Sequence, residues 1–407
     1  MLAPERRTRA DILTAVAIAA LVAIATVVVV LTSGVRGTHA ATATRTLPAP
    51  VSTDPVPSQV SELWHAPDGA AERSLVVGGV AVTADGGTVS GRDPRTGEQV
   101  WTYERDLPLC AAEVQFGTVI ATYKDQRGCS QTTLLNVENG ARVAARSSYM
   151  DNHVTLTPDS TYMLAQGPRR LELWRSDMVR TLEYGYVDAP VNPHTQPRSG
   201  CDLLSAASAP SRVAVLERCP NEAAARLSIL NPAPKDGTTP EEYSSHVLNE
   251  PGGAVDGARV IAVSDTRIAL YLPGTASTTP VLALYDVNGN MVATHQMPAF
   301  TQTAMVARLS TGFFVYTGEA LVALNLTTLD PLWGTHNVLG TAALMSGQLI
   351  APVPDGLAIL DPATGAQLSR IPLQRSDYHG EPISLGVSGT TFLERRGTQV
   401  YGVGAHS

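Results

Sequence analysis

The chain has 407 residues, 44% of them apolar, enough to bury a sizeable core as one large β domain or as two or three ordinary ones. Only 5% are aromatic, against 34 glycines and 28 prolines, a composition that favours many short strands broken by turns and argues against a helical bundle. A net charge of −8 provides no basic surface to neutralise phosphates, which argues against nucleic acid as a partner.

The first element is the uncharged run Ile12–Leu31, long enough at about 1.5 Å per residue to cross a hydrocarbon core of roughly 30 Å. Arg6, Arg7 and Arg9 precede it and Arg36 follows, so the basic bias places residues 1–11 in the cytoplasm, a transmembrane helix at 12–32 and the rest outside the cell. Thr38-His39-Ala40 would suit a signal cleavage site, but the apolar run exceeds the ~7–15 residues usual for a secretory signal, which favours a retained anchor. Either way the body is exported to the cell envelope. Residues 33–59, rich in Ala, Thr and Pro, read as an extended flexible tether that reaches the outer strand at Ser61 from its C-to-D side, which places the membrane nearer that plain face and the long links pointing outward.

After the tether a refrain begins. GRDPRTGEQVW (91–101), LLNVENGARVA (134–144), ALYDVNGNMVA (283–293), ALNLTTLDPLW (323–333) and AILDPATGAQLS (358–369) each show an alternating strand, a short turn usually built on Asp or Asn with Gly, and a second strand. Weaker copies lie at 171–182 and 226–248, the latter with an enlarged turn. The final strands, around 383–387, 391–395 and 399–403, lack an outer partner, while Ser61–His65 is an orphan strand at the front. A period of about 40 residues whose ends complete each other predicts an all-β, eight-bladed β-propeller over 60–407, closed by strand 61–65.

Four cysteines, Cys110, Cys129, Cys201 and Cys219, show no zinc spacing and suit an oxidising compartment. Of the three connectivities, the local pairs Cys110–Cys129 and Cys201–Cys219 are favoured, because each joins the start of one strand to the end of the next in the same context.

The motif Asp93, Thr96, Gly97, Trp101 resembles the PQQ-like (pyrrolo-quinoline quinone) β-propeller repeat, of the wider WD40/YVTN-like superfamily. Asp361 and Gly365 repeat part of it but end in Ser369 rather than Trp, and Trp333 follows Leu329 where Gly is expected. The resemblance covers roughly 61–406 and extends to membrane-anchored exported propellers of actinobacteria and to the outer-membrane-assembly propeller lipoprotein. It implies that Trp101 and Trp333 pack blade against blade. Active quinoproteins of this family stack the quinone on a disulfide of adjacent cysteines beside calcium; no Cys-Cys pair exists here, so no cofactor is expected.

No nucleophile elbow occurs, the histidines stand singly, and Glu241-Glu242 lies in a Pro/Thr-rich loop, so no catalytic or metal-binding residue is assigned and the protein is expected not to be an enzyme. In a propeller blade of strands A to D, the D-to-A links and B-to-C loops share one side. The long links at 184–200 and 372–382 and the B-to-C loops at 124–130, 218–225 and 273–280 are there, as are both proposed disulfides. Tyr186, His194, Arg198, Arg375 and Tyr378 on those links are the candidate partner-binding residues. The expected function is a membrane-anchored, extracytoplasmic protein-interaction or assembly scaffold with envelope proteins as partners. A quinone- or sugar-dependent oxidoreductase, or a receptor for a small ligand in the channel, are the alternatives.

Overall fold

A computed structural model describes residues 8–34, 36–50, 55–190 and 192–405; Arg6, Arg7 and the extreme C-terminus lie outside it. Arg9–Thr32 is an α-helix, started by a capping box in which the Thr8 hydroxyl accepts from the Asp11 amide and the Asp11 carboxylate accepts from the Thr8 amide. With a mean hydropathy of 2.9 over Arg9–Leu31, it is long and apolar enough to cross a membrane.

Eight sheets follow as the blades of a β-propeller, antiparallel apart from a short parallel pairing of Gly340–Thr341 with the first strand of blade 8. Middle strands such as Gly312–Tyr316 and Ala320–Leu324 are buried throughout, outer ones such as Pro331–His336 alternate in exposure, and successive strands pair in order from the innermost A to the outermost D, mostly through short turns. Both faintly legible repeats are full blades, with strands C and D at Arg170–Trp174 and Arg180–Gly185 in blade 3, and at Arg226–Leu230 and Glu242–Val247 in blade 4. The ring closes as expected: Ser61–Pro67 pairs with Gln399–Gly404 as strand D of blade 8. Core clusters fill the wedges between neighbouring blades, as where Trp101 and Tyr103 of blade 1 meet Tyr123 and Leu135 of blade 2.

The refrain acts between blades. Trp64 of blade 8 lies on the C-to-D turn of blade 1, where a Cβ added to Gly97 would come within 2.6 Å of the indole, and its N–H donates to the Pro94 carbonyl at 2.8 Å. Trp101 does the same at Gly140, donating to Val137 at 2.8 Å, and Trp333 at Gly365, donating to Pro362 at 3.0 Å. Each turn thus needs glycine for a left-handed φ and for the close approach of a ring from the blade before it. The Asp of the turn supports the loop: the Asp93 carboxylate accepts from the Arg95 amide, and that of Asp361 from Ala363 and Thr364. Leu329 takes the turn glycine's place in blade 6, with φ +60° and its side chain buried.

The segment read as a free tether is instead laid onto the body. Thr38–Ala41 adds a fifth strand to the outer edge of blade 1, with Thr38 opposite Arg105 and Ala41 opposite Thr102. Asp106 N–H donates to the Gly37 carbonyl (2.7 Å) and Ala43 N–H to that of Asn139 (3.0 Å), while Leu47 is buried in the wedge between blades 1 and 2. Val56 and Val60 pack against the wedge between blades 7 and 8. Composition could not reveal this strap, because one leucine among Ala, Thr and Pro has no periodicity. It also reverses an expectation about approach: the chain first meets the propeller at the D-to-A end of blade 1, beside Arg105, and not at the C-to-D end near Ser61.

Candidate functional site

Both disulfides form with the local pairing, Cα–Cα 5.9 Å for Cys110–Cys129 and 4.2 Å for Cys201–Cys219. Each ties the start of a strand A to the B-to-C side of the same blade. Cys201–Cys219 closes the base of the 186–200 link, the longest elaboration of that side. The buried Glu217 carboxylate approaches the two sulfurs, but these are bonded to each other, so no ligand set results.

The other end of the link is fixed by backbone. In the B-to-C turn of blade 3, one Asp151 carboxylate oxygen accepts from the amides of both Arg169 and Arg170 at 2.9 Å, and the Arg169 carbonyl accepts from the Tyr186 amide at 2.7 Å. Adjacent residues of an extended chain point oppositely, so the tandem arginines part company: Arg170 turns inward and is buried, and Arg169 turns outward. The Arg169 guanidinium lies over the Tyr186 ring, 4.2 Å from its centroid. Tyr186 also meets Tyr149 at 6.1 Å and donates its hydroxyl to Asp188 at 3.2 Å. Gln196 pins the middle of the link by donating to the carbonyls of Glu183 (3.3 Å) and Thr238 (3.0 Å). Between these supports opens a cleft of about 420 Å³, lined by Arg169, Tyr186, His194, Gln196, Ser199 and Gly200 among others. His194 is exposed and holds a left-handed φ of +62°.

Beneath the cleft, charge is spent on structure. Arg170 donates to Glu172 (2.7 Å) and Glu183 (2.9 Å), and Glu172 accepts further from Arg146 (3.0 Å) and the Trp174 indole (2.8 Å). Burial alone would push the Glu172 carboxyl up, but the guanidinium groups of Arg146, Arg170 and Arg180 hold it below the usual range. Glu217, with Tyr184 and Ser228 donating to one oxygen at 2.8 and 2.6 Å, is pushed up by burial.

The five candidate residues therefore separate. Tyr186 and His194 share the cleft. Arg198, on the same link, turns back into blade 4, where it donates to the Ser245 hydroxyl at 2.8 Å and pairs with Glu242 at 3.4 Å. Arg375 is not an exposed loop residue: its side chain is 3% accessible, makes a two-pronged pair with Glu394 at 2.8 Å, and donates to the Val353 and Gly356 carbonyls. Tyr378 is half-buried near that guanidinium, 5.9 Å from ring to Arg375, at the junction of blades 7 and 8 and away from the cleft. Long loops of this kind need an internal cation to satisfy a buried carboxylate, and sequence does not distinguish that cation from a free one. Arg169 escaped notice for the converse reason: it sits in a two-residue-scale turn. The signal that could have found it is the Arg-Arg pair straight after Pro168, with one residue of the pair obliged to face outward.

No family model matches the chain, and no curated protein matches it in sequence. Solved structures resemble it in shape. Sqt1 of Saccharomyces cerevisiae is 9% identical with a TM-score of 0.52, over 90% of this chain and 100% of that one. The dihydro-heme d1 dehydrogenase NirN, in complex with DHE, is 13% identical with a TM-score of 0.50, over 80% of this chain and 70% of that one. Likeness at these identities establishes the propeller fold and nothing about ligands.

Proposed function

We propose that the protein is a non-enzymatic, single-pass scaffold of the bacterial cell envelope, anchored by its own helix, that holds protein partners at the link side of blades 3 and 4. The strap carries this reading. Residues 33–37 join the end of the helix to the fifth strand of blade 1, a reach of at most about 20 Å for an extended chain. A body docked that tightly to its anchor is placed with respect to the bilayer rather than tumbling on a leash. The D-to-A end of blade 1 then faces the membrane surface, and a partner associated with that surface comes within reach of the links. Two further features support a binding role. The stapled link puts exposed polar and aromatic groups on a stiff base, and the buried carboxylates of blades 3, 4 and 8 are engaged by arginines and hydroxyls in structural pairs. The Trp-on-Gly contacts between blades support the PQQ-like reading of the repeat.

A photo-crosslinking residue placed at Tyr186 or His194 should capture a partner in intact cells, whereas the same residue at Arg95 or Glu138, in C-to-D turns on the opposite side, should not. Capture only from the opposite turns would reject the assignment.

A further inference from the structure

We propose that the cleft under the 186–200 link is a carboxylate-binding site, and that the partner enters it with an acidic peptide segment. The inference rests on the scaffold reading above and names the chemistry by which it would work. Most cations near this site are consumed: Arg146, Arg170, Arg180 and Arg198 each pair with a glutamate. Arg169 differs. Among the described residues it enters no ion pair, although its amide and carbonyl are both fixed, so the guanidinium is held in position by backbone and by one ring. Stacking on Tyr186 occupies a flat face and leaves the N–H edge free, the edge that grips a carboxylate with two parallel hydrogen bonds.

The rest of the cleft suits the same group. His194 presents a ring at the rim and Ser199 a hydroxyl, while the Thr195 hydroxyl donates to the Asn192 carbonyl at 3.0 Å and Gly200 keeps the wall low. His194 keeps a left-handed backbone that costs a non-glycine residue free energy, a type of strain that gathers at ligand sites. Two acids stand near without pairing with the Arg169 guanidinium: Asp151 accepts from the Arg169 amide and Asp188 from the Tyr186 hydroxyl. A volume of about 420 Å³ holds one or two side chains of a peptide rather than a folded domain. Because the whole chain carries a charge of −8, attraction of an acidic segment must come from the local Arg169 guanidinium, and added salt should weaken it.

The test uses the full chain in nanodiscs of neutral phosphatidylcholine and a fluorescent hexaglutamate peptide, with hexaglutamine as its uncharged counterpart. Hexaglutamate should bind with a salt-sensitive anisotropy change, and hexaglutamine should not. Arg169→Gln should weaken binding at least tenfold and His194→Gly at least threefold, with unfolding midpoints unchanged. Binding that survives Arg169→Gln, or equal binding of both peptides, overturns the site. Inorganic phosphate displacing the peptide at lower concentration than free glutamate would reassign the cleft from carboxylate to phosphate. If hexaglutamate fails to bind while Tyr186 still crosslinks a partner in cells, the carboxylate chemistry falls and the scaffold stands; failure of both removes the scaffold reading as well.

Discussion

Two truncations should differ sharply in stability. Removing residues through Gln59 takes away the strap: the Thr38–Ala41 pairing, the Arg45–Glu98 ion pair and the burial of Leu47. Fully burying a leucine contributes about 2 kcal/mol. The exposed ion pair adds under about 1 kcal/mol, and the strand's hydrogen bonds are largely offset by the entropy of ordering it. The expected loss is on the order of 3 kcal/mol, a fall of only a few degrees in Tm for a body this large. Removing residues through Pro67 also deletes strand D of blade 8. That loss includes the Trp64 ring on Gly97, for which truncation of a packed Trp costs about 3–5 kcal/mol. It also includes Glu62, whose departure leaves Arg396, 2% accessible, short of a partner. With the velcro edge of Gln399–Gly404 exposed as well, the total approaches the 5–15 kcal/mol typical of a whole domain, and the protein should open or aggregate. Thermal unfolding and size-exclusion chromatography of both forms read the difference. Equal behaviour of the two truncations would refute the closure, and a loss of more than about 6 kcal/mol for the shorter one would mean the strap's share has been misjudged.

Asp68, fully buried at the junction of blades 8 and 1, is pushed up to about 7 by burial, against the opposing pull of the Ala84 amide and Arg395. Its folded pKa lies above the unfolded value near 3.9, so the folded state holds the proton longer and stability falls as pH rises between about 4 and 7, by at most on the order of 4 kcal/mol. Asp68→Asn should flatten that slope in urea midpoints measured from pH 4 to 8; parallel curves for both proteins would contradict it. Arg375→Ala should lower the unfolding free energy from urea titration by about 3–5 kcal/mol, because it leaves Glu394, 0% accessible, relying on Arg396 alone. A loss within about 0.5 kcal/mol would restore Arg375 to the exposed loop surface. Gly365→Ala, whose new Cβ would lie 2.5 Å from the Trp333 ring, should destabilise by about 2 kcal/mol or more, whereas Gly380→Ala, with nothing within 4 Å, should cost only the backbone strain of about 1 kcal/mol. Similar midpoints for these two would remove the docking role of the tryptophan.

What this sequence determined by itself is the periodic part of the protein. Alternation along a strand, Asp or Asn with Gly in a turn, and a twenty-residue apolar run are local patterns, and each is written within a few neighbouring residues. The eight blades, the closing strand at Ser61, the apolar helix and the two local disulfides were legible for that reason, as was a packing role for Trp101 and Trp333. Only the tertiary structure decided where single residues went. Leu47 enters a wedge formed by strands well downstream in the chain, which turns a presumed tether into a strap. Arg375 and Arg198 are drawn inward by Glu394 and Glu242, carboxylates supplied by other strands, while Arg169 is left outside because Asp151 takes its backbone and not its side chain. Burial of a charge depends on a partner brought by the fold, and no spacing along the chain records which arginine will find one.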